Sequence, residues 1–250
     1  MPAAWIASDM AVTAALHIHT YHSYDCLLRP REIVDAAVRA GIDVLLVCDH
    51  DSLAGGLETV EAARGTPVHV IAGAEYCTEL GDVIVMDIAR EFERRDAAFV
   101  FAEAMRLGAL TILPHPAKSH REHESLITRA DVIEIANART YPHLNRRAAD
   151  WAARAGKPVV AGSDAHFLHE IGHALTVFEG DYDLRDANAL RNMFLHAPRR
   201  CDLRCQTSYF DFMKSQYIKA YKERSPRVAW QTSVKAGKKA LRILTGTDEA

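Results

Sequence analysis

Short aliphatic runs alternate with amphipathic stretches over most of this chain, and nearly every run stops at a residue with metal-binding chemistry. VTAAL leads into His17 and His19, VLLVCD into His50, VHVIAGA into Glu75, LTILP into His115, and KPVVAGS into Asp164 and His166. Asp25 falls in the loop after the first run. Short apolar runs bounded by turn signals read as buried strands, and stretches with a 3.6-residue apolar period read as helices. Strand-helix alternation implies a parallel sheet. If that sheet closes, the C-terminal ends of its strands meet on one face, and residues distant in sequence converge there.

The helix signals are local and specific. Pro30 to Ala40 starts on a proline, places Ile33, Ala36, Ala37 and Ala40 on one face, and stops at Gly41. Comparable helices are predicted over 53–64, 94–107, 120–129, 144–155 and 184–195, and strands over 44–48, 68–73, 83–88, 109–113, 131–136, 158–162 and 174–178. Such units fit a distorted TIM-like (β/α)7 barrel, class α/β. An open doubly wound sheet would gather ligands at one switch point, whereas here candidates follow at least five strands. Past Thr207 the alternation ends, and two amphipathic helices are predicted. The expected division is a barrel over 1–206 and a basic helical extension over 207–250.

Composition excludes several classes. With 250 residues, 49% hydrophobic and 25% charged, the chain is ordinary globular protein. The net charge of −3 divides into −8 before Thr207 and +5 after it. The chain as a whole therefore does not indicate a nucleic-acid partner, although the tail is compatible with one. Five cysteines form no disulfide framework, and Cys201 and Cys205 read as stray thiols, so a reducing cytoplasm is expected. The segment MPAAWIASDM lacks the basic start of a signal peptide, and no apolar stretch approaches a membrane span. Oligomeric state has no signature here. The lack of G-x-S-x-G and of a glycine-rich phosphate loop argues against acyl transfer and NTPase chemistry.

The chemistry lies in the combination. Alternation along a strand would turn His17 and His19 to the same side. Asp49-His50-Asp51 ends an aliphatic strand, where unpaired burial would cost several kcal/mol; His50 reads as a ligand and Asp51 as structural, with Asp51 or Ser52 a cap for the next helix. Pro114 and Pro116 flank His115 and restrict its backbone. Glu75 has two oxygens with which to bridge two ions. Imidazoles mixed with carboxylates, without thiolates, suit Zn, Mn or Fe. The residues by themselves point to a metal-dependent hydrolase.

The stretches LHIHTYHSYDCLLRPREIVDAAVRAGIDVLLVCDHDSLAG, AGAEY, LPHPAK, DVIEIANAR and AGSDAH, in that order across about residues 14–175, resemble the PHP (polymerase and histidinol phosphatase) family. The resemblance is to its small stand-alone hydrolases, and no polymerase module is present. It implies a distorted seven-stranded barrel holding two or three divalent metal ions and hydrolysing phosphoesters. By motif, His17, His19, Glu75 and Asp164 would hold the first ion, Glu75 and His115 the second, and Asp25, His50 and His166 the third. Where the family often has a further histidine in a Gly-His-Val turn, this chain reads Gly81-Asp82-Val83. Either Asp82 is a carboxylate ligand or the second ion is held more weakly.

The expected reaction uses a metal-bridging hydroxide as nucleophile, with no side-chain nucleophile, on a small phosphorylated substrate: a metabolite, a nucleotide or an oligonucleotide end. Arg139 would pair with phosphate, and Asn137, Lys118 and His22 would line the mouth. His169 and His173 are candidates for hydrogen-bonding the ligand histidines. Two alternatives stand beside this reading: an amidohydrolase-like enzyme cleaving C–N bonds, and a metal-stabilised binding module without catalysis.

Overall fold

The computed structural model describes residues 10–118 and 123–244, with residues 119–122, including His120, outside the described set. The elements in order are β1 (Ala11–Ile18), α1 (Pro30–Ala40), β2 (Val44–His50), α2 (Ala54–Ala62), β3 (His69–Cys77), β4 (Asp82–Met86), α3 (Ala97–Leu107) and β5 (Leu110–Leu113). There follow α4 (His123–Arg129), β6 (Val132–Asn137), α5 (Pro142–Ala155), β7 (Val159–Gly162), β8 (Ala174–Glu179), α6 (Ala187–His196), β9 (Arg199–Leu203), α7 (Tyr209–Lys222) and α8 (Pro226–Leu244). Local chemistry explains the boundaries. Pro30 opens α1, and Gly41 closes it at φ 64°, a conformation that costs glycine nothing. Asp96 caps α3 by accepting from Phe99 N, so this helix starts later than its apolar pattern suggested.

The nine strands form one sheet in the order β7-β6-β5-β4-β3-β2-β1-β8-β9. β1 divides its length between two neighbours. Its first half pairs antiparallel with β8, while its end accepts from Ser163 N at Leu16 O (2.8 Å) and from Ala165 N at His17 O (3.0 Å). That seam nearly closes the sheet into the expected TIM-like α/β barrel.

The sheet is not wholly parallel, as the alternation had implied. β4 runs antiparallel to both β3 and β5. Only a tight turn separates β3 from β4, with Thr78 and Gly81 exchanging backbone hydrogen bonds, and a parallel crossover needs a far longer connection. The reversal brings Asp82, the first residue of β4, opposite Cys77 at the end of β3 and so to the face where the parallel strands end. β9, an antiparallel partner of β8, was not foreseen; its RRCDL carries only one aliphatic residue.

One apolar cluster fills the barrel. Leu16, Leu46, Ile71, Ile84, Ile112 and Val160 meet inside it, and Leu190, Met193 and Phe194 of α6 join them together with strand-start residues such as Val12, Val44 and Leu110. Helix α6 thus plugs the N-terminal end of the barrel. Two further clusters pack the outer face of the sheet against α1, α2, α3 and α5. The opposite, C-terminal end is left for polar residues, and α7 reaches it: Arg139 donates to Ser215 Oγ at 2.6 Å, and Lys222 Nζ donates to backbone carbonyls of Tyr21, Ser23 and Cys26. No described helix is long and apolar enough to cross a membrane.

Candidate metal centre

The strand ends deliver their side chains through strained backbone. His17 (φ 62°), His115 (φ 32°) and Asp164 (φ 49°) all occupy the left-handed region without being glycine. Non-glycine residues there cost on the order of 1–3 kcal/mol and cluster at functional sites. His17 also lies where the β1–β2 register shifts, between Ala15 and Ile18. Regular strand alternation is therefore not what brings His17 and His19 together; a bulged strand does so, with ring centroids 5.1 Å apart.

The structure brings His17, His19, Asp25, His50, Glu75, His115, Asp164 and His166 into one cluster. Glu75 is its hub. Oε1 lies 3.4 Å from His17 Nε2 and 3.3 Å from His115 Nε2, and Oε2 lies 3.5 Å from His19 Nε2 and 3.0 Å from His50 Nδ1. Asp164 Oδ1 is 3.4 Å from His19 Nε2 and 3.8 Å from His17 Nε2. Asp25 faces His166 Nε2 at 3.1 Å and His50 Nε2 at 3.7 Å. Asp82 completes a further triad with Glu75 and His115, their ligand atoms all within 4.8 Å of one another.

Around Glu75 these proximities do not amount to hydrogen bonds. His17 Nε2, His19 Nε2, both oxygens of Glu75 and Asp25 Oδ1 are buried with no hydrogen-bond partner. Each would carry a penalty of about 1–3 kcal/mol in a site that stayed dry and empty. The outer nitrogens, by contrast, are held. His17 Nδ1 lies 3.0 Å from Glu134 Oε1, His19 Nδ1 lies 3.1 Å from Ser23 Oγ, and His166 Nδ1 lies 2.8 Å from the Asp164 carbonyl. Protons on the outer Nδ1 atoms leave Nε2 lone pairs aimed inward, the tautomer a metal ligand needs. Unpartnered inward atoms with anchored outer atoms fit divalent cations.

Charge in the cluster has the same form. Burial opposes charge on His17, but Glu75, Asp164 and Glu134 outweigh it and hold its imidazole well above the ordinary value. His50 behaves likewise beside Glu75 and Asp25. Burial would raise Glu75, yet His17 and His50 hold it well below the carboxylate range. His19 is pushed down to about 4, by burial first and then by His166 and His50. Buried carboxylates thus draw protons onto neighbouring imidazoles, and a bound cation would take the place of those protons.

Three buried carboxylates to which sequence reasoning assigned no role build the frame. Glu134 accepts from His17 Nδ1, from His115 N at 2.9 Å and from Asn137 Nδ2 at 2.8 Å. Asp49 accepts from the backbone and hydroxyl groups of both Thr20 and Ser23, shaping the loop that carries Asp25. Glu170 accepts from His166 N at 2.7 Å and from Thr207 Oγ1. Glu134 and Asp49 had a readable signal: each is a carboxylate inside an otherwise aliphatic strand. Of the two cap candidates, Asp51 accepts from Cys77 N and pairs with Arg95, whereas Ser52 Oγ accepts from Ala54 N at the start of α2.

Above the cluster lies a cavity of about 170 Å³, lined by six of the eight cluster residues together with Asp82, Lys118, Arg139 and, from α7, Phe212 and Gln216. Lys118 Nζ is 4.0 Å from Asp164 Oδ2. The Arg139 side chain is only 3% exposed, braced by Glu170 at 3.4 Å and stacked over Phe212. The structure does not bring Asn137 or His22 to this wall. Asn137 is fully buried beneath the cluster on Glu134, and His22 pairs with Glu58 at 3.0 Å on the outside. His169 pairs with Asp211 instead of with a ligand histidine, and among the described residues the His173 ring makes no hydrogen bond to one.

A family model described as PHP_C, PHP-associated, matches residues 142–193. An uncharacterized protein of Methanocaldococcus jannaschii is 31% identical over 114 residues, 41% of this chain and 67% of that protein. A 5'-3' exoribonuclease of Haemophilus influenzae is 41% identical over 63 residues, 25% of this chain and 23% of that protein. Among solved structures, a two-domain protein containing a predicted PHP-like metal-dependent phosphoesterase from Bacteroides vulgatus matches with TM-score 0.66 at 19% identity, over 78% of this chain and 65% of that one. An amidohydrolase from Chromobacterium violaceum matches with TM-score 0.53 at 16% identity, over 74% and 97%. At such identities these two structures speak to fold alone. The barrel, its metal-fitting cluster and the sequence matches together make this chain a member of the PHP family.

Proposed function

We propose that this protein hydrolyses phosphate esters, using two or three divalent cations (Zn, Mn or Fe) held by His17, His19, Asp25, His50, Glu75, His115, Asp164 and His166. The observation that carries the reading is the unpartnered inward geometry around Glu75: Nε2 of His17 and His19 and both Glu75 oxygens are buried without hydrogen bonds. When bound, such ions would polarise the phosphoryl group and lower the pKa of an attacking water.

The chain's own groups have separable roles. Glu134 holds the His17 proton on Nδ1 and keeps Nε2 available. Lys118 and Arg139 bring positive charge to the wall of a cavity otherwise rich in carboxylates, which suits the equatorial oxygens of a phosphoryl group. Glu170 and Ser215 brace Arg139, so its remaining N–H donors are presented without reorganisation. Two cations on the wall favour phosphate over the neutral amide of the C–N hydrolase reading. The extension over 207–250 is proposed to complete this mouth through α7, which contributes Phe212 and Gln216.

The test is turnover by the full chain, metal-stripped and then reconstituted with Mn or Zn, on p-nitrophenyl phosphate and a panel of phosphomonoesters and diesters beside a panel of amides. Metal-dependent release of alcohol from phosphate esters alone is expected. Turnover of amides only, or a fully metallated protein inert on every ester, would overturn the reading.

A further inference from the structure

A second cavity, of about 260 Å³, opens beside the metal pocket and shares Lys118, Arg139 and Phe212 with it. Its barrel side is the loop after β6, with Ala138, Thr140 and Tyr141, and Leu144 of α5. Its other side is Tyr209 and Phe212 of α7. The two cavities meet at a pair of cations and differ in character. Asp25, Glu75, Asp82 and Asp164 line the first, whereas among the described residues no carboxylate lines the second.

The second cavity also has few polar groups to spare. Gln206 Nε2 donates to Thr140 O at 2.8 Å, Thr207 Oγ1 donates to Glu170, and Arg139 donates to Glu170 and Ser215. Beyond Lys118 and the hydroxyls of Tyr141 and Tyr209, the hydroxyl groups of a sugar or polyol placed there would find few replacements for water. A flat apolar group loses nothing polar and gains ring contacts. Phe212 is fixed under the Arg139 guanidinium at 5.5 Å, and Tyr141 and Tyr209 of the lining are 68% and 39% exposed as residues.

We propose that this cavity seats the leaving group of the ester, and that the preferred leaving group is an uncharged, ring-bearing alcohol. The phosphoryl group then lies toward Glu75, with Lys118 and Arg139 at the junction. In the hydrolysis the bond from phosphorus to the ring-bearing oxygen breaks, the oxygen of water bonds to phosphorus, and a proton from water ends on the departing oxygen. Helix α7 is on this account a specificity element, since without Tyr209 and Phe212 the cavity has no second wall. The inference rests on the phosphoesterase reading and deepens it.

The experiment compares benzyl phosphate with ethyl phosphate, whose leaving oxygens are similarly basic, so that the ring is the chief difference. With the Mn-loaded full chain, kcat/KM is expected to favour the benzyl ester by roughly 10-fold or more. Tyr209→Ala and Leu144→Arg should each collapse that ratio toward one, and Tyr217→Ala, elsewhere on α7, should preserve it. Equal kcat/KM for the two esters, or a preference that both cavity variants leave untouched, would overturn the proposal. If the protein is inert on these two and on every other ester of the wider panel, the phosphoesterase reading has failed, and calorimetry with benzylphosphonate and ethylphosphonate still reads the cavity. Tighter benzylphosphonate binding that Tyr209→Ala removes supports the subsite, and equal binding of the two sinks it.

Discussion

Glu134 Oε1 lies 3.0 Å from His17 Nδ1, and both side chains are only 1% exposed. This contact fixes which nitrogen of His17 faces the cluster. Glu134→Gln preserves volume but offers one acceptor oxygen where three donors now converge. Metal affinity is expected to fall by about 10–100-fold. Competition with a chromophoric chelator measures it, and a thermal melt of the metal-free variant separates the effect from misfolding. An unchanged affinity would show that His17 needs no such anchor.

Two glycines leave the room these carboxylates occupy. A Cβ on Gly162 would stand 1.6 Å from Glu134 Oε1, and one on Gly55 would stand 2.0 Å from Asp49 Oδ2 and 2.1 Å from Thr20 Oγ1. Gly162→Ala and Gly55→Ala should therefore each cost several kcal/mol or prevent soluble expression, because the carboxylate cannot move without orphaning its donors. Gly237→Ala, in α8 with nothing within 4 Å, should stabilise by up to about 1 kcal/mol through helix propensity. Chemical denaturation of the three variants checks both signs at once.

Lys222 ties α7 to the loop that carries Asp25, donating to the carbonyls of Tyr21, Ser23 and Cys26. Lys219 of the same helix sits 4.1 Å over the Tyr24 ring, which stacks on His50 at 4.4 Å. Lys222→Met should loosen the Asp25, His50 and His166 group while leaving the His17 side intact. The expected outcome is loss of part of the bound metal, with affinity for that part lowered about 10-fold. Metal-to-protein stoichiometry by elemental analysis across a dilution series reads this directly; a stoichiometry and affinity equal to the parent chain would contradict it.

Removing metal should destabilise the fold. A cation bound only by the folded chain adds RT ln(1 + [L]/Kd), about 4 kcal/mol at 1,000 times Kd. The thermal midpoint should drop when the metallated protein is treated with chelator and recover on adding Mn or Zn. Acidification should act in the same direction, because protons compete for the imidazole lone pairs that ligate. Identical melting curves with and without metal would mean that the cluster does not bind it in the folded state.

Much of this arrangement was legible in the sequence where one residue type carries one reason. Pro30 and Gly41 bound a helix because of their own backbone chemistry, and α1 has the boundaries they announced. His17, His50, Glu75, His115 and Asp164 were singled out because imidazoles and carboxylates rarely end aliphatic strands without a partner. What escaped depended on pairings between distant segments. The antiparallel course of β4 follows from the turn at Thr78–Gly81, and a short apolar run carries no direction of its own. Asn137 has the composition of a mouth residue, yet it lies under the cluster because Glu134 and Asn145 engage it from both sides. The contribution of Phe212 and Gln216 was invisible because the amphipathic pattern of α7 identifies an apolar face without saying what that face covers.

The central claim is that divalent cations bind around Glu75, and anomalous diffraction from crystals grown with Mn tests it most directly. The account predicts strong peaks within coordination distance of the Glu75 carboxylate, shared with imidazole nitrogens of His17, His19 or His115. A protein that carries Mn in solution yet gives no anomalous peak near Glu75, with the metal held elsewhere on the chain, would contradict it.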